Sequence, residues 1–201
     1  MPIVNAGVGF FGLAEIPVGR DRVEMAEWLQ QLLASITSRE TLQGFANRLS
    51  AALNRSVPID VRNSNISGFH IAGFGEEGRP EFWYVRNVDD DRETIFGEYK
   101  VREDFQSRDA ARIKPGEYWM YRNGDIRAHV IAWESFDDSL GSLLNAPDFK
   151  KFLTPEDDAD WVKFKIEVIA DFYKRFCRVS IIGKPVDAFL IKSKATGVTT
   201  G

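Results

Sequence analysis

A chain of 201 residues can bury a substantial core within one domain, so its stability does not require disulfides or a structural metal. Its composition, 44% hydrophobic and 28% charged, is typical of a globular protein. The net charge of −4 argues against a mainly electrostatic grip on nucleic acid or on an anionic membrane surface. Neither nucleic acid nor membrane is therefore expected as a partner.

Targeting features of the sequence are few. The single cysteine, Cys177, cannot form an internal disulfide, which favours a reducing compartment. Residues 2–14 are uncharged but no basic residues precede them, as an export signal would require. No apolar run is long enough to cross a bilayer. The expected location is cytoplasmic.

The first third of the chain predicts a strand region followed by two helices. Residues 3–16 read as a buried strand pair or one bent strand, punctuated by residues 17–19. Thr37 and Glu40 have the spacing of a capping box that begins a second helix, and Pro58 lies beyond its end. The apolar faces have helical spacing: Met25, Leu29, Leu32, Leu33 and Ile36, then Leu42, Phe45, Ala46, Leu49 and Leu53.

The middle of the chain predicts strands. Two short apolar and aromatic runs, residues 69–74 and 81–85, flank a turn at residues 75–80, which is typical of a β-hairpin. A further strand is indicated by Ile95, Phe96, Tyr99 and Val101, and another by residues 118–121.

The last third predicts two helices and two strands. Thr154, Pro155, Glu156 and Asp157 supply a cap, a first-turn proline and acids at the positive helix end. Residues 179–182 and 186–191 are the strand candidates, and residues 192–201 form a flexible polar tail. The preceding helix carries Ile126, Val130, Trp133, Leu140 and Leu144 before Pro147 interrupts it; the last helix buries Ala159, Val162, Ile166, Ile169, Tyr173 and Phe176.

This order of elements predicts an α+β fold. Paired helices alternating with blocks of strands suit a four-layer α-β-β-α sandwich, with two facing sheets inside and helices outside. We see no repeat or linker that would divide residues 1–201, so one domain is expected.

The same order resembles proteasome-type members of the N-terminal nucleophile hydrolase superfamily, over nearly the whole chain. Four places carry the resemblance: a glycine-rich strand, a central hairpin, the boundaries of the last long helix, and a Gly-Lys-Pro-Val-Asp corner similar to the family's Gly-Gly-Pro-Ile-Asp type. In the same order, these places are residues 8–14, residues 69–74 with 80–85, residues 158–160 with 175–176, and residues 182–187. In the last of them, Lys184 replaces a glycine. The resemblance implies the sandwich fold and a homo-oligomer assembled through outer helices.

Family members use an N-terminal Thr, Ser or Cys whose free α-amine activates its own side chain. No residue of this sequence matches that position, so no catalytic residue is assigned. The sequence therefore favours a non-catalytic, self-associating assembly module. The alternative is an active threonine-type peptidase or amidohydrolase whose true N-terminus lies upstream of Met1. No cofactor and no metal are expected in either case.

Two lesser hypotheses concern the first residues. Gly7, Gly9 and Gly12 formally satisfy a dinucleotide fingerprint, which would indicate an oxidoreductase, but that motif needs a helix opening at the third glycine. Pro17 lies where this helix should run. An exposed N-terminal Pro2 could act as a general base, although nothing beyond Pro2-Ile3 supports tautomerase chemistry.

The remaining chemistry-bearing residues have structural explanations. His70 and His129 are isolated and lack carboxylates at metal-ligand spacing. Cys177 lies beside Arg175 and Arg178 but is expected to be a packed thiol. The acidic runs at residues 89–91 and 157–160 lack the pattern of a calcium-binding loop. Four aromatic residues are compatible with either a contact surface or a packed core: Trp83, Tyr84, Trp119 and Tyr121.

Overall fold

The computed structural model describes residues 6–18, 21–36, 40–75, 80–89, 94–105, 133–149, 151, 154–178, 186 and 188–191. The chain divides into two compact units. One, Met1–Tyr118 with Ile191–Gly201, is called the sheet unit below; the other, Trp119–Leu190, is called the helical unit. Strands and helices are both present, which confirms the α+β class. The predicted strand at residues 118–121, the N-terminal residues 1–5 and the tail at 192–201 lie outside the described residues.

The sheet unit contains a four-stranded antiparallel sheet in the order β1-β4-β5-β6. The predicted hairpin is confirmed as β4 with β5, and the next predicted strand is confirmed as β6. The strands are β1 (Ala6–Phe11), β4 (Gly68–Phe74), β5 (Pro80–Val88) and β6 (Ile95–Phe105). The edge strand β1 pairs with β4, which lies more than fifty residues along the chain, with Val8 opposite Ile71.

A second, two-stranded sheet joins β2 (Glu15–Val18) to β3 (Asp21–Glu24), and α1 (Met25–Ala34) follows directly. The predicted strand pair before residue 17 is thus two strands in different sheets. The prediction that Pro17 ends the second strand is wrong, since Pro17 lies within β2 opposite Arg22. A proline is tolerated in a short ribbon because it can occupy a position that donates no ladder hydrogen bond.

Helix α2 (Leu42–Ser56) buries all five of its predicted apolar positions against one face of the sheet. Phe69 and Ile71 of β4, and Trp83 and Val85 of β5, alternate onto that face and are at most 5% exposed. Because β4 and β5 are central strands, their inward side chains and α2 together form the largest buried cluster of the described residues.

The start of α2 differs from the prediction. Its N-cap is Thr41 rather than Thr37, and the Thr41 hydroxyl accepts a hydrogen bond from the Gly44 amide at 3.0 Å. A side chain at Gly44 would place a Cβ 3.2 Å from that hydroxyl, so the glycine leaves room for the cap. Pro58, predicted to lie beyond α2, is the N-cap of a short helix that the sequence reading missed, α3 (Ile59–Ser64).

A buried polar network fastens α2 to β6. The backbone amide of Tyr99 donates to Asn54 Oδ1 at 2.7 Å, and the Tyr99 carbonyl accepts from Ser50 Oγ at 2.8 Å and Asn54 Nδ2 at 3.0 Å. The Tyr99 hydroxyl lies 2.6 Å from Ser67 Oγ. Burial raises the pKa of the Tyr99 phenol, so it stays neutral and can act as a hydrogen-bond donor.

Asn87 fastens α3 to the sheet in the same way. Its side chain accepts from the Ser67 amide at 2.9 Å and donates to the carbonyls of Arg62 and Asn65, both at 2.7 Å. The side-chain oxygen and the amino group of Asn87 thus have hydrogen-bond partners although the residue is fully buried. Such a residue defines one position of the α3 segment, because any shift would leave buried polar groups unpaired.

The helical unit contains α4 (Trp133–Leu144) and α5 (Pro155–Phe176) among its described residues. The predicted cap of α5 is confirmed as a capping box, in which Thr154 and Asp157 bond each other's backbone amides. Helix α4 ends at Leu144, three residues before Pro147. The predicted positions Ile126 and Val130 lie outside the described residues.

Two predictions for the helical unit are wrong. Phe176 was assigned to the buried face of α5 but is 72% exposed. Residues 186 and 188–190, with Ile191, have no strand structure, and Phe189 is 84% exposed. An apolar run becomes a strand only where a neighbouring strand accepts its hydrogen bonds, and its composition alone does not supply that neighbour. The other predicted strand, residues 179–182, lies outside the described residues.

Candidate protein-interaction surface

The clearest functional feature is an aromatic stripe on α5. Five side chains at intervals of three or four residues follow one side of this 22-residue helix. We call this set the α5 stripe: Trp161, Phe164, Val168, Phe172 and Phe176. Residues at these intervals lie on one face of a helix because it turns 3.6 residues at a time.

Three of the five members of the α5 stripe are open to solvent, and Trp161 and Val168 are half-buried. Phe164, Phe172 and Phe176 are 44%, 57% and 72% exposed, respectively. Their exposed apolar surface amounts to about 350 Å² if a complete phenylalanine side chain presents roughly 200 Å². That area lies within the range of the largest apolar patches on monomeric proteins, which are often functional.

The rings of the stripe contact each other in pairs. The Trp161 and Phe164 rings are stacked with centroids 5.6 Å apart, and the Phe172 and Phe176 rings lie 5.0 Å apart. Stacked rings move less independently than isolated ones, so less side-chain entropy is lost when a partner covers them. The stripe is therefore organised as a contact surface before any partner arrives.

Charge is distributed unevenly along α5. Glu156, Asp157 and Asp158 lie in the first turn, and Lys174 and Arg175 lie in the last. This arrangement complements the helix dipole and stabilises the isolated helix. It also leaves an acidic end and a basic end on either side of the aromatic stripe.

A buried lysine beside the stripe holds α5 against α4. Lys165 is 1% exposed, and its Nζ donates to Asp137 Oδ1 at 2.6 Å. The same Nζ lies 4.0 Å from the Trp133 ring centroid and 5.3 Å from that of Trp161. The charge is thus held by a carboxylate and two indole faces, which compensate for its removal from water.

This clamp determines what the helix exposes. Ile169 and Tyr173 pack with Trp133 in the small buried cluster of the helical unit. Because Ile169 and Tyr173 occupy the α4 side of α5, Phe164, Phe172 and Phe176 remain exposed, whereas Trp161 contacts the Lys165 ammonium. Rotation of α5 to bury Phe172 would expose the hydrophobic cluster and separate Lys165 from Asp137.

A second aromatic surface lies on the sheet, on the face opposite α2. Residues paired across β1, β4 and β5 place Phe11, His70 and Tyr84 there. The His70 and Tyr84 rings are stacked at 4.5 Å, and the Arg86 guanidinium lies 4.6 Å from the Tyr84 ring centroid. Tyr84 and Arg86 are 3% and 7% exposed, so the β5 part of this face is buried, whereas Gly9 of β1 on the same face is exposed. His70 therefore occupies a half-buried structural position, as the sequence indicated.

The three fingerprint glycines do not have the arrangement that dinucleotide binding needs. Gly7 and Gly9 lie in the edge strand β1, and Gly12 follows it with a positive φ of 92°. A Cβ at Gly12 would lie 2.2 Å from the Ile66 carbonyl oxygen. The element after Gly12 is the strand β2, whereas the fingerprint requires a helix whose N-terminus receives the phosphates.

Other residues singled out from the sequence are dispersed. Cys177 is the half-buried C-cap of α5, and Asp89 accepts from Arg102 Nη2 at 2.6 Å. Asp157 belongs to the α5 capping box. Among the described residues, no group of three or more His, Cys, Asp or Glu side chains could hold a metal ion. Several candidates lie outside the described residues: Pro2, Asp90, Asp91, Trp119, Tyr121 and His129.

Two features of this surface were missed in the sequence. The residues of the α5 stripe are apolar at helical spacing and could have been recognised as a second stripe beside the buried one. The burial of Lys165 has no such signal, because a lysine between two apolar residues is ordinarily an exposed side chain. Its position depends on Asp137 and Trp133 of α4.

No family model, no curated protein and no solved structure matches this chain. Within the described part of the chain, no helix has both the length and the apolar character needed to cross a membrane.

Proposed function

We propose that this protein is an assembly module that associates with copies of itself. The observation that carries the proposal is the solvent-exposed α5 stripe, with Phe164, Phe172 and Phe176 lying along one helix face. Aromatic side chains are enriched in the cores of protein interfaces because they bury large areas with few rotatable bonds. A surface of this kind favours protein contact over small-molecule chemistry.

The proposed architecture is the four-layer proteasome-like sandwich. Its support is the partly buried face of the sheet opposite α2. The Ile191 side chain lies over Gly7 on this face, where a Cβ on the glycine would be 3.2 Å from the isoleucine. Buried Tyr84 and Arg86 on the same face also favour a second layer above it. A sandwich requires such a covered face, since both surfaces of its inner sheets are packed.

The architecture is tested by an experimental structure of the full chain. We expect a second layer packed over the face that carries Gly7 and His70. A structure in which this face is open to solvent would contradict the sandwich.

Self-association is tested by sedimentation velocity of the full chain over a range of concentrations. We expect a species larger than the monomer whose fraction rises with concentration, because association follows mass action. Ile59→Glu serves as the control variant, because it changes a 60% exposed apolar residue of the sheet unit. It should leave self-association unchanged. A chain that stays monomeric up to its solubility limit would contradict the proposed function.

A further inference from the structure

The α5 stripe is nearly symmetric about its centre. Val168 lies in the middle, with Phe164 four residues before it and Phe172 four residues after it. Asp160 lies eight residues before Val168, and Arg175 lies seven residues after it. At about 1.5 Å per residue, the two phenylalanines are ~6 Å from the centre and the two charges ~11 Å from it.

The symmetric positions have complementary chemistry. Phe164 and Phe172 are the same residue, and both are exposed. Asp160 and Arg175 are also exposed, lie on the same side of the helix as the phenylalanines, and have opposite charges. A helix with this pattern matches its own copy when the copy runs in the opposite direction. Parallel alignment would instead bring like charges together.

We propose that two copies of this chain form a two-fold symmetric dimer through antiparallel pairing of their α5 helices, centred on Val168. This inference rests on the proposed self-association and names its interface. Phe164 of one copy packs against Phe172 of the other at the interface core. Asp160 of one copy meets Arg175 of the other at each rim, and both pairs recur because the interface is two-fold symmetric.

The apolar core supplies the association energy, and the charges select the orientation. Exposed charge pairs contribute little to affinity but oppose like-charge alignments. The interface can form without rearrangement because Lys165 and Asp137 already hold α5 with its stripe outward. Facing backbones of packed helices are close enough for cysteines introduced at the contact to form a disulfide.

The first test is sedimentation velocity of full-length variants. Phe172→Glu should remove the dimer, because it places a carboxylate in the apolar core. Asp160→Arg alone and Arg175→Asp alone should each dimerise more weakly than the wild type, since every rim pair then has like charges. An equimolar mixture of these two variants should form a dimer, because both rim pairs become attractive again. Circular dichroism and thermal unfolding of each variant show that it is folded.

The second test fixes the direction of the pairing with cysteines in a Cys177→Ser background. Asp160→Cys mixed with Arg175→Cys should give disulfide-linked dimers under oxidation, while Asp160→Cys alone should not. Cross-linking of Asp160→Cys with itself would overturn the antiparallel arrangement. Wild-type oligomers that are insensitive to Phe172→Glu and to both charge reversals would overturn the α5 interface but leave self-association standing. A monomeric wild-type chain would overturn both.

Discussion

The sheet unit and the helical unit distribute their apolar side chains in opposite ways. Among the described residues, fourteen apolar side chains form the buried cluster of the sheet unit, against three in that of the helical unit. In the part of the chain that the structure describes, ten large apolar residues are at least 40% exposed, and seven of them belong to the helical unit. These seven are Leu143, Phe149, Phe164, Phe172, Phe176, Phe189 and Leu190.

The sheet unit therefore uses its apolar side chains for its own stability, whereas the helical unit presents them for interaction. The sheet unit buries most of its large apolar side chains within itself, because α2 packs against β4, β5 and β6 on one face of the sheet. The helical unit leaves apolar surface that a partner can cover, and a buried ion pair beside a small core holds α4 and α5 together. The following predictions test this contrast, beginning with the largest expected effect.

The sheet-unit core should respond most strongly to truncation. Phe45→Ala removes a side chain that is 1% exposed at the contact of α2 with the sheet. We expect a loss of about 4 kcal/mol in the free energy of unfolding, because the substitution loses transfer energy and leaves a cavity. Urea denaturation followed by circular dichroism measures it. The matched control is Phe149→Ala, at a 46% exposed position of the helical unit outside the α5 stripe, and equal losses for the two variants would abolish the contrast between the units.

Removing the anion or the cation of the ion pair in the helical unit should lower stability by different amounts. Asp137→Ala leaves the buried Lys165 charge without its carboxylate, and we expect a loss of about 3 kcal/mol in the stability of this unit. Lys165→Met keeps the packing volume and leaves Asp137, which is 39% exposed, to be solvated; we expect a loss of less than ~1 kcal/mol. Hydrogen exchange of α5 amides measures both. The double variant should recover stability relative to Asp137→Ala. Equal losses for the two single variants would show that the buried Lys165 charge without its carboxylate is not the cause of the destabilisation.

The fingerprint glycines should separate into a structural position and a tolerant one. Gly12→Ala forces a side chain into a positive φ and against the Ile66 carbonyl, and we expect a loss of about 2–3 kcal/mol. Gly9→Ala is the matched control, because no atom lies within 4 Å of a Cβ built there, and its effect should be below ~1 kcal/mol. Thermal unfolding compares the two. A greater sensitivity at Gly9 would indicate a role for β1 that its backbone geometry does not explain.

The buried hydroxyl pair of the sheet unit should have a smaller effect. Tyr99→Phe leaves Ser67 Oγ without its 2.6 Å partner at a position that is 1% exposed. We expect a loss of about 1.5 kcal/mol, since a buried polar group loses its hydrogen bond. Urea denaturation measures it. Adding Ser67→Ala should restore part of the stability, and a further loss equal to that of Ser67→Ala alone would show that the two groups act independently.

The smallest effect concerns alkaline pH. The pKa of Tyr99 is raised in the folded protein, chiefly by burial, so the folded state retains the phenolic proton more strongly than the unfolded state. Its contribution is complete below the unfolded value of 10.0 and is lost as pH rises through the folded pKa. The stability advantage of the wild type over Tyr99→Phe should therefore shrink above pH 10. An advantage that stays constant across that range would show that Tyr99 does not couple folding to pH.

Local patterns predicted much of the described fold. The apolar spacing of α2 identified its five buried positions, since one buried helix face needs no knowledge of distant residues. The β4–β5 hairpin and the α5 capping box were also predicted, because both depend on residues close together in sequence. The cap of α2 was misplaced by four residues because Thr37 and Thr41 both precede the helix.

The sequence predicted the candidate surface only in part. The apolar residues of α5 form two stripes, and helical spacing places Tyr173 on one side and Phe172 on the other. Spacing does not say which stripe is buried, and Phe176 was assigned to the wrong one. The strand prediction for residues 186–191 failed for the same reason, because it inferred a neighbour from an apolar run.

The sequence alone determined which segments are amphipathic, where α5 begins, and that the chain mixes helices with strands. These properties follow from neighbouring residues and the repeat of the backbone. Only the tertiary structure decided that β1 pairs with β4, that Lys165 is buried between two indoles, and that Phe172 faces solvent. Each depends on contacts between residues far apart in the chain, and a periodic pattern specifies an apolar face without specifying what covers it.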